Sequence, residues 1–209
     1  MGYAGIGAVP VFLALGLVSG LLGVAYNRAI LGMLFVAGRL RRWPVELRAA
    51  MVGGAVGLLA WLSPDLVGGG DALTQRALWG TGGLAMLPLV FLLRFGLGPV
   101  SYAAATPGGL FAPLLVLGSQ SGLIFGSLFC NWLPGIDAAP AAFAVTGMAA
   151  FFTAVVRSPV TGIILICELT ASYTQLLPML DACFAAMLVP TLLGNPPIYD
   201  SLSRSKPWT

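Results

Sequence analysis

The most informative segment of the chain is Ala105-Thr106-Pro107-Gly108-Gly109-Leu110-Phe111-Ala112-Pro113, which leads into a strongly apolar helix predicted over residues 114–129. Gly108 and Gly109 carry no Cβ atom, so they allow the backbone to turn and to come close to a ligand. Pro113 suits the first turn of a helix, where its missing N–H costs no hydrogen bond. The segment therefore predicts a helix that begins directly after a glycine turn.

The backbone amides of Leu110, Phe111 and Ala112 fall at the positive end of this predicted helix. Amides of the first turn have no acceptor within their own helix, and unpaired donors are costly in hydrocarbon. An anion is a natural acceptor for them. A Gly-Pro hinge packed against protein fits the same residues equally well, so the segment alone leaves both interpretations open.

The composition indicates an integral membrane protein. The 209 residues are 58% hydrophobic and 8% charged, with a mean hydropathy of +0.96, whereas a soluble domain carries about a quarter charged residues. A soluble domain of this size needs more polar groups to cover its surface. The 28 glycines and 15 prolines also fit, since membrane helices tolerate both when neighbouring helices satisfy the freed backbone groups.

Residue content excludes several function classes. The sequence contains no histidine, which removes Ser-His and Cys-His catalysis and histidine-ligated zinc or haem. The net charge of +3 is not distributed like a nucleic-acid-binding surface. The three cysteines form no C-x-x-C pair and are interpreted as small core residues; they are Cys130, Cys167 and Cys183. We therefore predict no enzymatic activity, no cofactor, no metal site and no nucleic-acid partner.

Charged residues, glycines and prolines divide the chain into apolar segments of uneven length. Short, Gly- or Pro-interrupted helices are typical of transporters, in which helix ends meet an ion near mid-membrane. Basic residues cluster at two places that the positive-inside rule assigns to the cytoplasm: Arg39, Arg41, Arg42 and Arg48 in a loop, and Arg204 and Lys206 near the end. Helices are predicted over 8–37, 49–62, 72–78, 84–95, 114–129, 138–156, 159–173 and 176–193, with a flexible turn at 67–71, a break at Gly98-Pro99 and a polar tail from Asn195.

Glycines recur at four-residue spacing in three of these segments. Such small residues allow helices in a membrane to approach closely, so we predict packing roles for them. The sets are Gly16 and Gly20, Gly53 and Gly57, and Gly118, Gly122 and Gly126.

Several segments, in the same order along the chain, resemble the CLC family of chloride channels and chloride/proton antiporters. The segment 109–113 is similar to the family's G-x-F-x-P motif, and 195–199 resembles its closing segment with the pore tyrosine. Together the likenesses cover nearly the whole chain, from about the tenth helix of the family fold onward. They are Gly68-Gly69-Gly70, the helix carrying Arg94, Gly109-Leu110-Phe111-Ala112-Pro113, residues 149–173 with Arg157-Ser158-Pro159-Val160-Thr161-Gly162-Ile163-Ile164 and Glu168-Leu169-Thr170, and Asn195-Pro196-Pro197-Ile198-Tyr199.

The resemblance implies an all-α integral membrane fold, the CLC core, of which residues 1–209 form the C-terminal half. That half is the second inverted-topology repeat, with short, tilted and broken helices. The implied chloride ligands are the amides of Leu110, Phe111 and Ala112 and the hydroxyl of Tyr199. The implied anion-binding residues are thus Gly109, Leu110, Phe111, Ala112, Pro113 and Tyr199. A neutral site of dipoles suits conduction, because an arginine in its place would hold the anion too tightly.

Motifs of the family's first half are absent from this sequence. That half supplies a serine ligand from a G-S-G-I-P-type segment, a gating glutamate from a G-[KR]-E-G-P segment and the internal glutamate that relays protons in the antiporters. The glutamates here, Glu46 and Glu168, lie in neither motif. The 209 residues also leave no room for the family's C-terminal regulatory domains.

Four ionisable residues lie deepest in apolar sequence, and we expect structural roles for them because each is predicted near a helix end. Proton transfer by Glu168 in place of the missing carboxylate is the less favoured alternative. The four are Arg94, Arg157, Glu168 and Asp181.

The leading hypothesis is transmembrane chloride transport by a subunit of a CLC-type channel or antiporter in a bacterial inner membrane. Its partners are chloride, the lipid bilayer, and a second copy or a polypeptide that supplies the first half. A non-conducting structural or regulatory fragment that dimerises with an intact relative is the alternative. Two copies in opposite orientations are disfavoured by the arginine bias, and Gly118-Ser119-Gln120-Ser121-Gly122 fits no serine-nucleophile motif. The sequence leaves open channel against antiporter, the identity of the anion, and whether the chain is truncated or needs a separately encoded first half.

Overall fold

The computed structural model of the chain describes residues 8–39, 44–62, 64, 86–103, 109–132 and 139–204. Within these ranges the regular structure is helical, and they contain no β-strand. The helices are α1 (Val9–Arg39), α2 (Val45–Leu62), α3 (Leu87–Ala103), α4 (Phe111–Trp132), α5 (Pro140–Val156), α6 (Pro159–Thr170), α7 (Leu176–Leu192) and α8 (Ile198–Arg204).

Two helices of the described part are long and apolar enough to cross a membrane. α1 has 31 residues and continues through the polar pair Asn27-Arg28, as predicted, while residues 111–130 of α4 form the second candidate. The remaining apolar helices are shorter, between 10 and 17 residues in their apolar part. Uneven helix length is therefore a property of the fold as well as of the sequence.

Helix α5 lies at the centre of the molecule. Every residue from Ala142 to Val155 is buried, and α5 packs against α1, α4, α6, α7 and α8. Its alanines and glycine leave room for neighbouring backbones, so helices surround it on all sides. The antiparallel pair α4–α5 makes the most extensive of these contacts.

The glycine spacing marks real helix contacts in two of its three predicted places. A Cβ atom at Gly118 would lie 2.6 Å from the Gly147 carbonyl oxygen, and one at Gly20 would lie 2.7 Å from the Val189 side chain. The packing roles predicted for α4 and α1 are thus confirmed. For Gly53 in α2, as for Gly57, no described atom lies within 4 Å of such a Cβ, so the close contact predicted there is not found among the described residues.

The predicted break at Gly98-Pro99 is wrong, because α3 continues through Pro99 to Ala103. The Tyr26 hydroxyl lies against Gly98, where a Cβ atom would overlap it. The neighbouring helix therefore fills the space beside the proline, a setting in which membrane helices tolerate a missing backbone hydrogen bond. As a result Arg94 lies in the middle of α3 and not near a helix end.

Other predicted boundaries move by a few residues. α2 begins at Val45, so Arg48 belongs to a helix and not to the basic loop, and the predicted polar tail contains α8. α6 ends at Thr170 because Ala171 takes a left-handed conformation with φ of 48°. The predicted helix 72–78, the turn at 67–71 and the loop residues 40–43 lie outside the described residues.

Candidate anion site at the start of α4

Helix α4 begins at Phe111, within the segment that the sequence singled out. Its first hydrogen bond of the α type runs from the Leu114 amide to the Leu110 carbonyl oxygen, at 3.1 Å. Pro113 has no N–H, so the donors left over are the amides of Leu110, Phe111 and Ala112. No acceptor for these three amides occurs among the described residues. The helix N-terminus is therefore present, with three amides that have no acceptor within α4, and anion binding by them stays a prediction.

Contacts with the end of α5 hold these donors in place. Leu110 is 5% exposed, and the Phe111 ring packs edge-on against Phe152, with ring centroids 5.7 Å apart and planes at 81°. Leu110 belongs to a core cluster, hereafter the central cluster, made of Tyr26, Ile30, Phe91, Leu110, Leu114, Leu117, Phe151, Phe152, Val155 and Ile198. Because Leu110 and Leu114 are buried and Phe111 packs on Phe152, contacts with the core fix the position of the first turn of α4.

Gly109 differs from the sequence expectation. Its φ lies outside the left-handed region, and a Cβ atom at this position would meet no described atom within 4 Å. The backbone of Gly109 therefore does not need glycine in order to turn, so that part of the prediction is wrong. Open space on its exposed side is compatible with a ligand close to the backbone, which stays a prediction. Gly108 lies outside the described residues.

Tyr199 reaches the same region from the other end of the chain. The preceding residue, Ile198, is fully buried in the central cluster together with Leu110. Tyr199 itself is 49% exposed. The structure thus docks the helix that carries Tyr199 against the cluster that holds the start of α4. The described residues provide no hydrogen-bond partner for the Tyr199 hydroxyl.

The other ionisable residues lie in different settings. Arg157 is the C-cap of α5, as expected for a structural role at a helix end, and Glu168 is exposed in the last turn of α6. Arg94 is buried in mid-helix and Asp181 is half-buried within α7, so the expectation that these two lie near helix ends is wrong.

Sequence reasoning missed the aromatic and polar supports of the site. Phe152 lies 41 positions from Phe111, and no local pattern signals that their rings touch. Arg157 and Asn195 were noticed only as parts of separate motifs, although the Arg157 guanidinium bonds the Asn195 carbonyl oxygen. Contacts of this kind depend on how whole helices pack, which short motifs do not encode.

The profile of the family described as voltage gated chloride channel matches residues 3–191 of this chain. The chain belongs to the CLC family. Among characterised relatives, the H(+)/Cl(-) exchange transporter ClcA of Cronobacter sakazakii is 37% identical over 196 residues, and that of Vibrio parahaemolyticus is 39% identical over 194 residues. Each alignment covers 91% of this chain but only 42% of the relative, so the chain spans less than half the length of these CLC proteins.

Solved CLC structures share the fold. A slow cyanobacterial Cl-/H+ antiporter superposes with a TM-score of 0.89 at 31% identity, over 96% of this chain and 47% of that one. A eukaryotic CLC transporter gives a TM-score of 0.76 at 25% identity, over 93% of this chain and 34% of that one. The helix arrangement described above is therefore that of a CLC transporter, and the chain is an integral membrane protein.

Proposed function

We propose that this chain contributes one half of the anion pathway of a CLC-type transporter and binds chloride with the amides of Leu110, Phe111 and Ala112 and the hydroxyl of Tyr199. One observation supports the proposal: Leu110, at the start of α4, belongs to the same core cluster as Ile198, the residue before Tyr199, and no acceptor for the amides of residues 110–112 occurs among the described residues. The function is transport of chloride and not catalysis, in keeping with the relatives' being H(+)/Cl(-) exchange transporters.

The chemistry of these donors suits an anion that must also be released. Amides at a helix N-terminus offer partial positive charge without a full cation. A hydroxyl adds one more neutral donor, and conduction requires binding that is favourable but weak enough to reverse. Gly109 and Pro113 then serve the site indirectly. Gly109 leaves its exposed side open. Pro113 lacks an N–H in the first turn, where that loss costs no helix hydrogen bond.

The remaining ligands belong to the family's first half. The serine ligand and the gating glutamate that the family resemblance implies come from that half, either as a preceding segment of a longer chain or as a second polypeptide. That half, and not residues 1–209, carries the proton path if the complex is an antiporter. The assembly is a multi-pass protein of the bacterial inner membrane, where the arginine-rich segment between α1 and α2 lies on the cytoplasmic side.

Chloride binding to the purified chain tests the site directly. Equilibrium dialysis with radiolabelled chloride is compared for the wild type, Tyr199→Phe and Tyr173→Phe in detergent. A hydrogen bond to a charged group contributes about 1.5–3 kcal/mol, so Tyr199→Phe is expected to weaken binding by roughly tenfold to a hundredfold. Tyr173, which is 72% exposed at the end of α6, provides the matched control and should leave the affinity unchanged.

Efflux from liposomes tests transport. Chloride efflux is measured for the chain alone and for the chain combined with a polypeptide that carries the first half. Flux that needs both halves and falls with Tyr199→Phe supports the proposal. Binding without flux in any combination favours the non-conducting fragment instead, and equal binding by wild type and Tyr199→Phe removes Tyr199 from the site.

A further inference from the structure

Arg157 occupies a backbone position that disfavours its own residue type. It caps α5 with φ of 65°, and its amide donates to the Thr153 carbonyl oxygen at 2.8 Å. Glycine is the ordinary choice for a left-handed helix cap because it has no Cβ atom to strain. A long side chain kept at such a position indicates that the side chain itself makes valuable contacts.

The guanidinium of Arg157 joins the end of α5 to the segment after α7. Its Nη1 donates to Thr191 Oγ1 at 3.1 Å, and its Nη2 donates to the carbonyl oxygen of Asn195. No carboxylate within the described ranges forms an ion pair with it, so its partners are neutral oxygen atoms. The side chain is partly buried, with its Nε atom out of contact with solvent.

The Asn195 carbonyl is the point from which the last helix departs. The Asn195 amide donates back to the Pro190 carbonyl oxygen at 2.9 Å, and Asn195 is 6% exposed. Two prolines follow, and each restricts φ to a narrow range. If the backbone carbonyl of Asn195 is held, the two prolines therefore fix the direction in which the chain continues to Ile198 and Tyr199.

We infer that Arg157 is a positioning residue for Tyr199. By holding the Asn195 carbonyl, the guanidinium orients the Pro196-Pro197 link and so places the Tyr199 side chain beside the start of α4. The consequence for chloride affinity rests on the proposed function, whereas the placement of Tyr199 does not. Arg157 acts through the backbone and not by touching the anion.

A simpler electrostatic role makes a different prediction. A positive charge that attracts chloride from a distance is preserved in Arg157→Lys, which would then behave like the wild type. Lysine presents a single ammonium on a flexible stem and does not reproduce the planar two-point contact of arginine. Positioning therefore predicts a defect in Arg157→Lys as well as in Arg157→Gln.

Fluorine NMR reports the placement of Tyr199 without any need for chloride. The full chain is labelled with 3-fluorotyrosine at its five tyrosines, and the Tyr199 resonance is assigned by its loss in Tyr199→Phe. In Arg157→Lys we expect this resonance to shift or broaden, while those of Tyr26 and Tyr173 stay unchanged. Arg28→Lys, at an exposed arginine of α1, is the matched control and should change none of them.

Chloride affinity gives the second readout. Arg157→Lys should weaken binding by several-fold, up to about tenfold, and should add no further loss in the Tyr199→Phe background, because residues that act as one unit are not additive. An unchanged Tyr199 resonance in Arg157→Lys overturns the inference, as does full additivity of the two affinity losses.

The two proposals fail separately. A wild type that binds no chloride refutes the proposed function, yet the fluorine spectrum still decides the placement of Tyr199. If every resonance broadens in Arg157→Lys, the variant has lost its fold and Thr191→Val decides instead. This variant keeps Arg157 but removes the Nη1 acceptor, which loosens the guanidinium that holds Asn195, and it also removes the bond of the Thr191 hydroxyl to the Met187 carbonyl oxygen. A change confined to Tyr199 in that variant supports the inference, and an unchanged Tyr199 resonance overturns it.

Discussion

The contact between α4 and α5 at Gly122 supports the candidate site from one side, and a single methyl group tests it. A Cβ atom at Gly122 would overlap the Phe143 carbonyl oxygen and lie 2.8 Å from the Phe143 carbonyl carbon and 3.1 Å from the Ala144 Cα. Carbon atoms are in optimal contact at about 3.5–4.0 Å. The obstacles are backbone atoms, so no side chain can rotate away, and Gly122→Ala forces the helices apart by about 0.7 Å.

This displacement sets the size of the effect. Overpacking of a close interface costs about 1–3 kcal/mol, and the rigid backbone neighbours place Gly122→Ala near the upper end. Alanine regains about 1 kcal/mol of helix propensity over glycine. The free energy of unfolding should therefore fall by about 2 kcal/mol. In α2, where no described atom lies near Gly57, the same substitution should raise it by up to about 1 kcal/mol.

The assay is reversible unfolding by SDS in mixed micelles, followed by the fluorescence of the five tryptophans. Wild type, Gly122→Ala and Gly57→Ala are compared at one detergent concentration, and chloride affinity is measured on the folded variants. Of the two variants, only Gly122→Ala should also lower the affinity for chloride, since movement of α4 against α5 disturbs the packing of Phe111 on Phe152. Equal stability of the two variants would refute the backbone-contact reasoning, whatever the sign of the common shift.

Three further outcomes are expected. Ala171→Gly should stabilise the chain by about 0.5–1 kcal/mol in the same assay, because Ala171 has φ of 48° and glycine relieves that strain; a loss of stability would contradict this. Under native conditions a maleimide should label Cys130 but spare Cys167 and Cys183, which are 3% and 0% exposed, until the protein unfolds; rapid native labelling of Cys183 would disprove the core role. Glu168→Gln should leave chloride flux and its pH profile unchanged in the two-half complex, because Glu168 is exposed at the end of α6; a flattened pH profile would make it a proton carrier.

Features that depend on residues close together in the sequence were predictable. The long apolar run, which continues through Asn27-Arg28, predicted α1 to within two residues at each end, and the glycine spacing in α4 predicted its close contact with another helix. Which helix would pack against α4 was not predictable, because small residues indicate that another helix approaches closely but not which helix it is. The same spacing in α2 shows the limit of the pattern, since Gly53 and Gly57 have no such contact with the described residues.

The break predicted at Pro99 shows how packing overrides a local preference. Proline removes one backbone hydrogen bond, and in water that loss commonly ends or kinks a helix. In α3 the space beside it is filled by Tyr26 of another helix, which lies against Gly98. The missing N–H of Pro99 favours a break, but contact with the neighbouring helix and the membrane environment lower the free-energy cost of continuing the helix.

The sequence by itself determined the membrane class, the helical fold and a helix start at which the amides of residues 110–112 have no acceptor within their own helix, because hydropathy, the missing N–H of Pro113 and the start of a helix are local properties. Only the tertiary structure brought the helix of Tyr199 to the core cluster that contains Leu110. The position of Tyr199 depends on the packing of Ile198 in the central cluster and on the hydrogen bond from Arg157 to Asn195, 38 positions away. Such contacts form only when helices distant in sequence pack around α5, so no motif of a few residues contains them.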